Sequence, residues 1–489
     1  MEPVLPFDLS FEGVRSGGLT RSLHRQLRTA ILERRLPAGY ALPSTRRLAS
    51  SLSIGRNTVI AAYDMLVAAG YARSRQSARL VITIPNAEEP GRKARAPAPR
   101  SSSSHIAPTW RRPAPRIVHP SPLPARSFRS GVPENRFFDH ALWRRLTSRA
   151  LRSFARGPFN YGPPQGSPQL REAIAGHVAF VRAVVCEADD LVITSGAQQA
   201  FDLLARLLVT PGQTRVAVEN PGYPPMRAAF AAAGAKLVPV PVDGEGLRVD
   251  RIPGDVKVIS VTPSHQSPTG AIMSSARRAA LLARARAIDA VVIEDDYDGE
   301  FLYDLRPLDA LQTLDRDRRV FYVGTFSKSL FPTLRKGFIV APTWARDALI
   351  DVKRSSDSHT DAMTQAVLAT FIAEGHLARH IRRMRPIYAQ RRRALEKGAQ
   401  DHWAGYMEVL PGNAGLHLST RIADPAKARV IAECAAQHLP GSLPLSAYTV
   451  GSTKLHGLCI GYGGVEVDQI ASAIRALGGA LRAAAGRRR

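Results

Sequence analysis

The sequence predicts an α/β domain built around a mostly parallel sheet, preceded by a small helical domain, and three observations predict it. Apolar strand-like runs alternate with helical stretches through the later part of the chain, a block of helical periodicity stands ahead of them, and a Pro/Ser/Arg-rich stretch separates the two. The chain has 489 residues, 45% hydrophobic and 22% charged, which is enough for a sizeable core in each part. No run of 18 apolar residues occurs, which excludes a membrane-spanning helix. The acidic, Pro-broken start MEPVLPFDLS lacks the basic-then-apolar pattern of a secretory leader. Cys186, Cys434 and Cys459 lie far apart with no CxxC spacing, which argues against a disulfide framework or a zinc site and for a reducing, cytoplasmic setting.

Residues 15–81 read as three helices and a hairpin. Leu23, Leu27, Ala30 and Ile31 fall on one face of a first helix, and Leu48 with Leu52 marks a short second one behind the N-cap Ser44. After the turn Ser53-Ile54-Gly55, Val59, Tyr63, Leu66 and Val67 repeat the spacing in a third helix that ends at Gly70. The remainder, GYARSRQSARLVITI, reads as two strands around a basic tip. This is the order of a winged helix-turn-helix, whose third helix enters the major groove by its N-terminus. Arg56, Asn57 and Thr58 stand there; Arg suits guanine and Asn adenine. Arg46 is placed to touch a phosphate, and Arg73, Arg75 and Arg79 charge the wing.

Charge supports that reading. The net charge is +26, and twelve arginines against Glu33 and Asp64 fall between Arg15 and Arg79. A basic block of this kind favours a phosphate backbone, with salt-sensitive binding through counterion release. A generic three-helix bundle with a basic surface would share the charge. Residues 82–126 are dense in Pro, Ser, Ala and Arg without apolar periodicity and read as a linker to a second domain over 127–480.

In that second domain the runs LVIT (191–194), VAVE (216–219), VKVISVT (256–262), AVVIE (290–294), VFYVG (320–324) and GFIVA (337–341) read as strands. Polar residues cluster just past their C-terminal ends, where open α/β sheets bind ligands. Ser195, Gly196 and Ala197 open a helix and form an anion site. Glu294, Asp295, Asp296, Tyr297 and Asp298 end another strand, as a magnesium site, a solvated loop or a partner for a ligand cation. Lys328 follows Ser327, with Arg335 seven residues on. Singly, each feature is as readily structural. Together they match pyridoxal 5'-phosphate (PLP), which needs an amine for its aldehyde, a carboxylate for its ring nitrogen, a hydroxyl for its phenolic oxygen and an anion site for its phosphate.

The chain resembles the MocR subfamily of GntR-type bacterial transcriptional regulators, in which a winged helix-turn-helix is joined to a fold-type I aminotransferase-like domain. LPSTRRLASSLSIGRNTVIAAYDMLVAAGY is similar to the reading head, and YGPPQGSPQLREAIA, SGAQQAFDLLARLL, ENPGYP, VTPSHQSPTG, IEDDYDGEF and GTFSKSLFPTLRKG follow in the order of the aminotransferase half. The resemblance implies that Lys328 bonds PLP covalently, Asp295 faces the ring nitrogen, Tyr297 the phenolic oxygen and Tyr223 the ring face. It also implies that Ser195, Gly196, Ala197, Ser327 and Arg335 surround the phosphate, and that the chain forms a homodimer on double-stranded promoter DNA.

Three departures shape the expected function. Ser267 stands where aminotransferases of this fold carry Asn, and Gly457 where they carry the Arg that clamps the substrate carboxylate. Pro225 stands where amino-acid-sensing relatives carry a second Arg. A complete PLP site beside a missing clamp points to a regulator sensing PLP itself, of the PdxR type that controls vitamin B6 synthesis. Alternatives are an amino-acid sensor with PLP as prosthetic group, an active aminotransferase carrying a DNA-binding domain, and a DNA-compaction protein.

Overall fold

The structure, a computed structural model, describes residues 5–11, 18–74, 80–83, 105–107, 110, 127–157, 160–303, 309–451 and 455–486. Most of the stretch read as a linker, and the wing tip with Arg75 and Arg79, lie outside the described residues. The chain divides into two compact units, 1–102 and 103–489.

In the first unit, helices α1 (Leu19–Leu32), α2 (Thr45–Ser51) and α3 (Arg56–Ala68) precede a hairpin of β1 (Ala72–Ser74) and β2 (Leu80–Ile82). The expected faces are the buried ones: Leu23, Leu27, Ala30 and Ile31 of α1 pack in one cluster with Leu48 of α2 and Val59, Tyr63 and Leu66 of α3. Val67 departs from expectation. It is 41% exposed, because Leu66, Tyr63 and Val59 already fill the face that meets α1. The Ser44 hydroxyl caps α2 by accepting from the Arg47 amide, and the Tyr63 hydroxyl ties α3 back to the Pro43 carbonyl at 3.0 Å.

The second unit is built on an eight-stranded sheet in the order β3-β10-β9-β8-β7-β4-β5-β6. The strands are β3 (Leu191–Thr194), β4 (Arg215–Asn220), β5 (Lys236–Asp243), β6 (Gly246–Leu247), β7 (Val258–Val261), β8 (Val291–Asp296), β9 (Val320–Thr325) and β10 (Gly337–Val340). The stretch from β5 to β9 is parallel, whereas β10, β3 and β6 run antiparallel to their neighbours. Continuous apolar runs such as VISV are buried throughout, as a sheet covered on both faces demands. Strand β5 was not anticipated, because Pro239 and Pro241 interrupt KLVPVPVD. The two prolines share one parity, and β6 pairs with β5 only at Val242 and Asp243, so their missing donors fall on the open edge.

A second sheet, β11 (Met407–Val409), β12 (His417–Ile422), β13 (Leu443–Pro444) and β14 (Gly457–Gly461), is antiparallel in the order β11-β12-β14-β13. Its inner face packs with the helices His376–Trp403 and Val467–Gly486 and with residues of β3 and β10 in one continuous core. The C-terminal ends of β3, β4, β7, β8 and β9 open toward this smaller sheet, and the site lies between them.

Candidate functional site

Alternation along β8 sorts its acids. Side chains of successive strand residues point to opposite faces, so Glu294 and Asp296 turn one way and Asp295 the other. Asp296 accepts from the Arg182 guanidinium at 2.6 Å and from the Tyr322 hydroxyl at 2.7 Å. Glu294 accepts the amides of Leu311 and Gln312, and burial pushes its carboxyl up to about 7. Both are structural acids. Asp295 lines a cavity of about 690 Å³, and its buried Oδ1 has no hydrogen-bond partner among the described residues. Burial, with Asp296, Asp298 and Glu219 close by, holds its carboxyl well above the usual range. An orphaned buried oxygen of this kind calls for a donor from a ligand.

Lys328 stands in the same cavity, in the loop that leaves β9. Its Nζ donates to the Gly131 carbonyl at 2.8 Å. Burial lowers its pKa, with the Arg129 and Arg335 cations acting in the same direction and the carboxylates of Asp298 and Asp295 opposing. A depressed amine is the form that attacks a carbonyl carbon. Gly131 has φ of +71°, and a Cβ there would come within 2.5 Å of the Lys328 Nζ.

Tyr297 follows β8 with its hydroxyl 3.1 Å from His265 Nδ1, which lies 3.0 Å from both carboxylate oxygens of Asp298. The His265–Asp298 pair therefore fixes the Tyr297 hydroxyl at the cavity wall. Among the described residues, His265, Asp298 and His417 are buried together with ligand atoms within 4.8 Å of one another. Tyr223, at the N-terminus of the helix Pro224–Ala232, lines the opposite side and packs edge-on to Phe201. Burial pushes its hydroxyl up to about 12.

The anion end is built at the helix Ala197–Leu208, whose N-cap Gly196 has φ of +80° and no side-chain cap. Ala197, Gln198, Ser327 and Arg335 line the cavity there, at the positive end of the helix dipole. Ser195 and Gly196 form the turn behind the wall. Arg335 Nη2 donates to the Ser195 carbonyl at 2.8 Å, and a Cβ on Gly196 would crowd its guanidinium at 3.1 Å.

Sequence reasoning missed Arg129, Ser130 and Gly131, which line the cavity, and also Thr325, His417 and Tyr448. Thr325 closes β9, directly after the run VFYVG, whereas no strand-end pattern marks the others. Ser267 and Pro225 do line the cavity. The sequence places the clamp position at Gly457. A Cβ there would lie 1.8 Å from the Thr420 carbonyl oxygen, so the β12–β14 ladder leaves no room for a side chain. Two residues on, Cys459 is buried against the side chains of Tyr448, Ser130 and Ser419. At either position β14 offers no arginine.

In the first unit Arg46, Arg56 and Asn57 are exposed and Thr58 is half-buried. Arg56 Nε lies 3.4 Å from Thr45 Oγ1, which brings the N-termini of α2 and α3 together as one basic edge.

The family model for gntR-family bacterial regulatory proteins matches residues 19–82, and that for aminotransferase class I and II matches residues 135–448. The chain is 36% identical to the probable rhizopine catabolism regulatory protein MocR of Rhizobium meliloti, over 95% of this chain and 94% of that one. It is 31% identical to the pyridoxine biosynthesis transcriptional regulator PdxR of Corynebacterium glutamicum, over 92% of each. Among solved structures it is similar to a Pyrococcus horikoshii kynurenine aminotransferase in complex with PMP, with a TM-score of 0.68 at 27% identity over 73% of this chain and 91% of that one.

Proposed function

We propose, from the premise that the chain belongs to the MocR-type transcriptional regulators of the GntR family, that PLP held in its aminotransferase-like unit controls how its winged helix-turn-helix binds DNA. The observation that carries this reading is Asp295, a buried carboxylate with an orphaned oxygen facing the cavity that also holds the depressed amine of Lys328. Those two residues answer the ring nitrogen and the aldehyde. Tyr297, set by His265, answers the phenolic oxygen, and Tyr223 the ring face. Ala197, Ser327 and Arg335 answer the phosphate, with Ser195 and Gly196 shaping the turn behind them. PLP supplies an electrophilic carbon joined to an electron-withdrawing ring.

This chain's own groups do the rest. The Asp295 carboxylate keeps a proton on a ring nitrogen, the Tyr297 hydroxyl donates to an adjacent oxygen, and the helix Ala197–Leu208 neutralises an anion with its dipole. We read the chain as a cytoplasmic homodimer on promoter DNA that governs vitamin B6 or amino-acid metabolism genes, with PLP as the sensed molecule and without sustained transaminase turnover. Strand β14, GLCIG, carries no arginine, which supports the last point, since a carboxylate clamp is the main handle on an amino-acid substrate. The regulators MocR and PdxR, similar over nearly their whole length, support the first.

Lys328→Ala tests it. Wild-type protein mixed with PLP is expected to show a visible absorption band and a changed affinity for operator fragments selected from genomic DNA. The variant is expected to lose the band and the change together. A variant that keeps both overturns the reading.

A further inference from the structure

We infer that Ile60 reads the 5-methyl group of a thymine in operator DNA, one turn along α3 from Arg56 and Asn57; the inference rests on α3 being the reading helix. Helix α3 buries Val59, Ala62, Tyr63 and Leu66 in the core it shares with α1 and α2. Its other side leaves Arg56, Asn57, Ile60, Ala61 and Asp64 exposed. Ile60 is the one large apolar side chain among these five, and it is 36% exposed. It stands outside the packed apolar cluster of this unit, so packing does not account for it. Helix stability does not account for it either, since a β-branched residue is a weaker helix former than the alanine beside it.

Position along the helix narrows the partner. The exposed Arg46 and Arg56 draw a phosphate backbone to the edge where α2 and α3 begin. Asp64, one turn beyond Ile60, repels phosphate, so the part of α3 suited to the groove ends between them. At 1.5 Å of rise per residue, Ile60 lies about 6 Å along the axis from Arg56 and about 4.5 Å from Asn57. Base pairs are stacked about 3.4 Å apart, so Ile60 meets a pair one or two steps from those that Arg56 and Asn57 reach. The floor of the major groove offers hydrogen-bonding groups and a single apolar group, the C5-methyl of thymine. An aliphatic side chain laid on the polar groups would strip them of water and return no hydrogen bond. Against the methyl it gains apolar contact, and because the helix already holds its χ1, little further order is needed. Met65 and Val67 are exposed too, but they stand beyond Asp64, outside this segment.

The test uses full-length protein with PLP and an operator duplex selected from genomic DNA. Each thymine in turn is replaced by deoxyuridine, which removes the methyl group and leaves the base pair intact, and affinity is read by fluorescence anisotropy. The wild type is expected to lose about fourfold at one or two positions, the effect of withholding one apolar carbon from burial. Ile60→Ala is expected to bind the thymine and deoxyuridine duplexes equally at those positions, and Ile60→Val, one carbon shorter, to keep part of the preference. The slope of log K against log salt is expected to stay the same in both variants, because no phosphate contact is lost. A wild type indifferent to every deoxyuridine, a preference that survives Ile60→Ala, or a salt slope that falls with it overturns the role of Ile60. Base specificity left intact in both Arg56→Ala and Asn57→Ala instead overturns the reading of α3 on which it rests.

Discussion

Gly131 shows how tightly the site is set by single residues. Its carbonyl receives the Lys328 amine, its φ of +71° suits glycine, and a methyl group would meet Nζ at 2.5 Å. Gly131→Ala is expected to weaken PLP binding tenfold or more in an absorbance titration, because Lys328 must leave its position. Backbone strain at positive φ adds a loss of about 1 kcal/mol in stability, read from urea unfolding. Lys328, Asp295, Tyr297 and Tyr223 were readable from sequence because each follows a strand within a few residues. Gly131 and Arg129 were not. Gly131 meets Lys328 across 197 residues of chain, a proximity that no local pattern encodes.

Elements were readable where one periodicity governed them. The buried faces of α1 and α3 follow from 3.6-residue spacing, and the apolar runs of the central strands from burial on both faces. Val67 and β5 were misjudged because packing overrode pattern: neighbours already filled the α3 face, and an open edge tolerated two prolines. The exposed start of α3 carries its own prediction. Arg56→Ala or Asn57→Ala is expected to cost about 1–3 kcal/mol of operator affinity and to relax specificity at one base pair, measured by fluorescence anisotropy on single-substitution operators. Arg46→Ala is expected to weaken all sequences alike and to lower the slope of log K against log salt by about 1.

At the scale of the molecule, each unit has its own hydrophobic core, one around Leu27 and Tyr63, the others around the sheets of the second unit. Calorimetry of the full chain is expected to resolve two transitions. PLP at a hundred times its dissociation constant should stabilise only the larger by about 2.7 kcal/mol, since a ligand stabilises the unit that binds it. The sequence by itself determined the two-part architecture, the helix-turn-helix order and several residues of the cavity lining, because periodicity, charge and strand-end chemistry are local properties of a chain. Only the tertiary structure decided why no side chain fits at position 457, and that Arg129, Ser130 and Gly131 line the cavity beside Lys328. Those depend on which face of a strand is covered and on which distant segments meet, and burial and chain crossing are settled when the sheets pack.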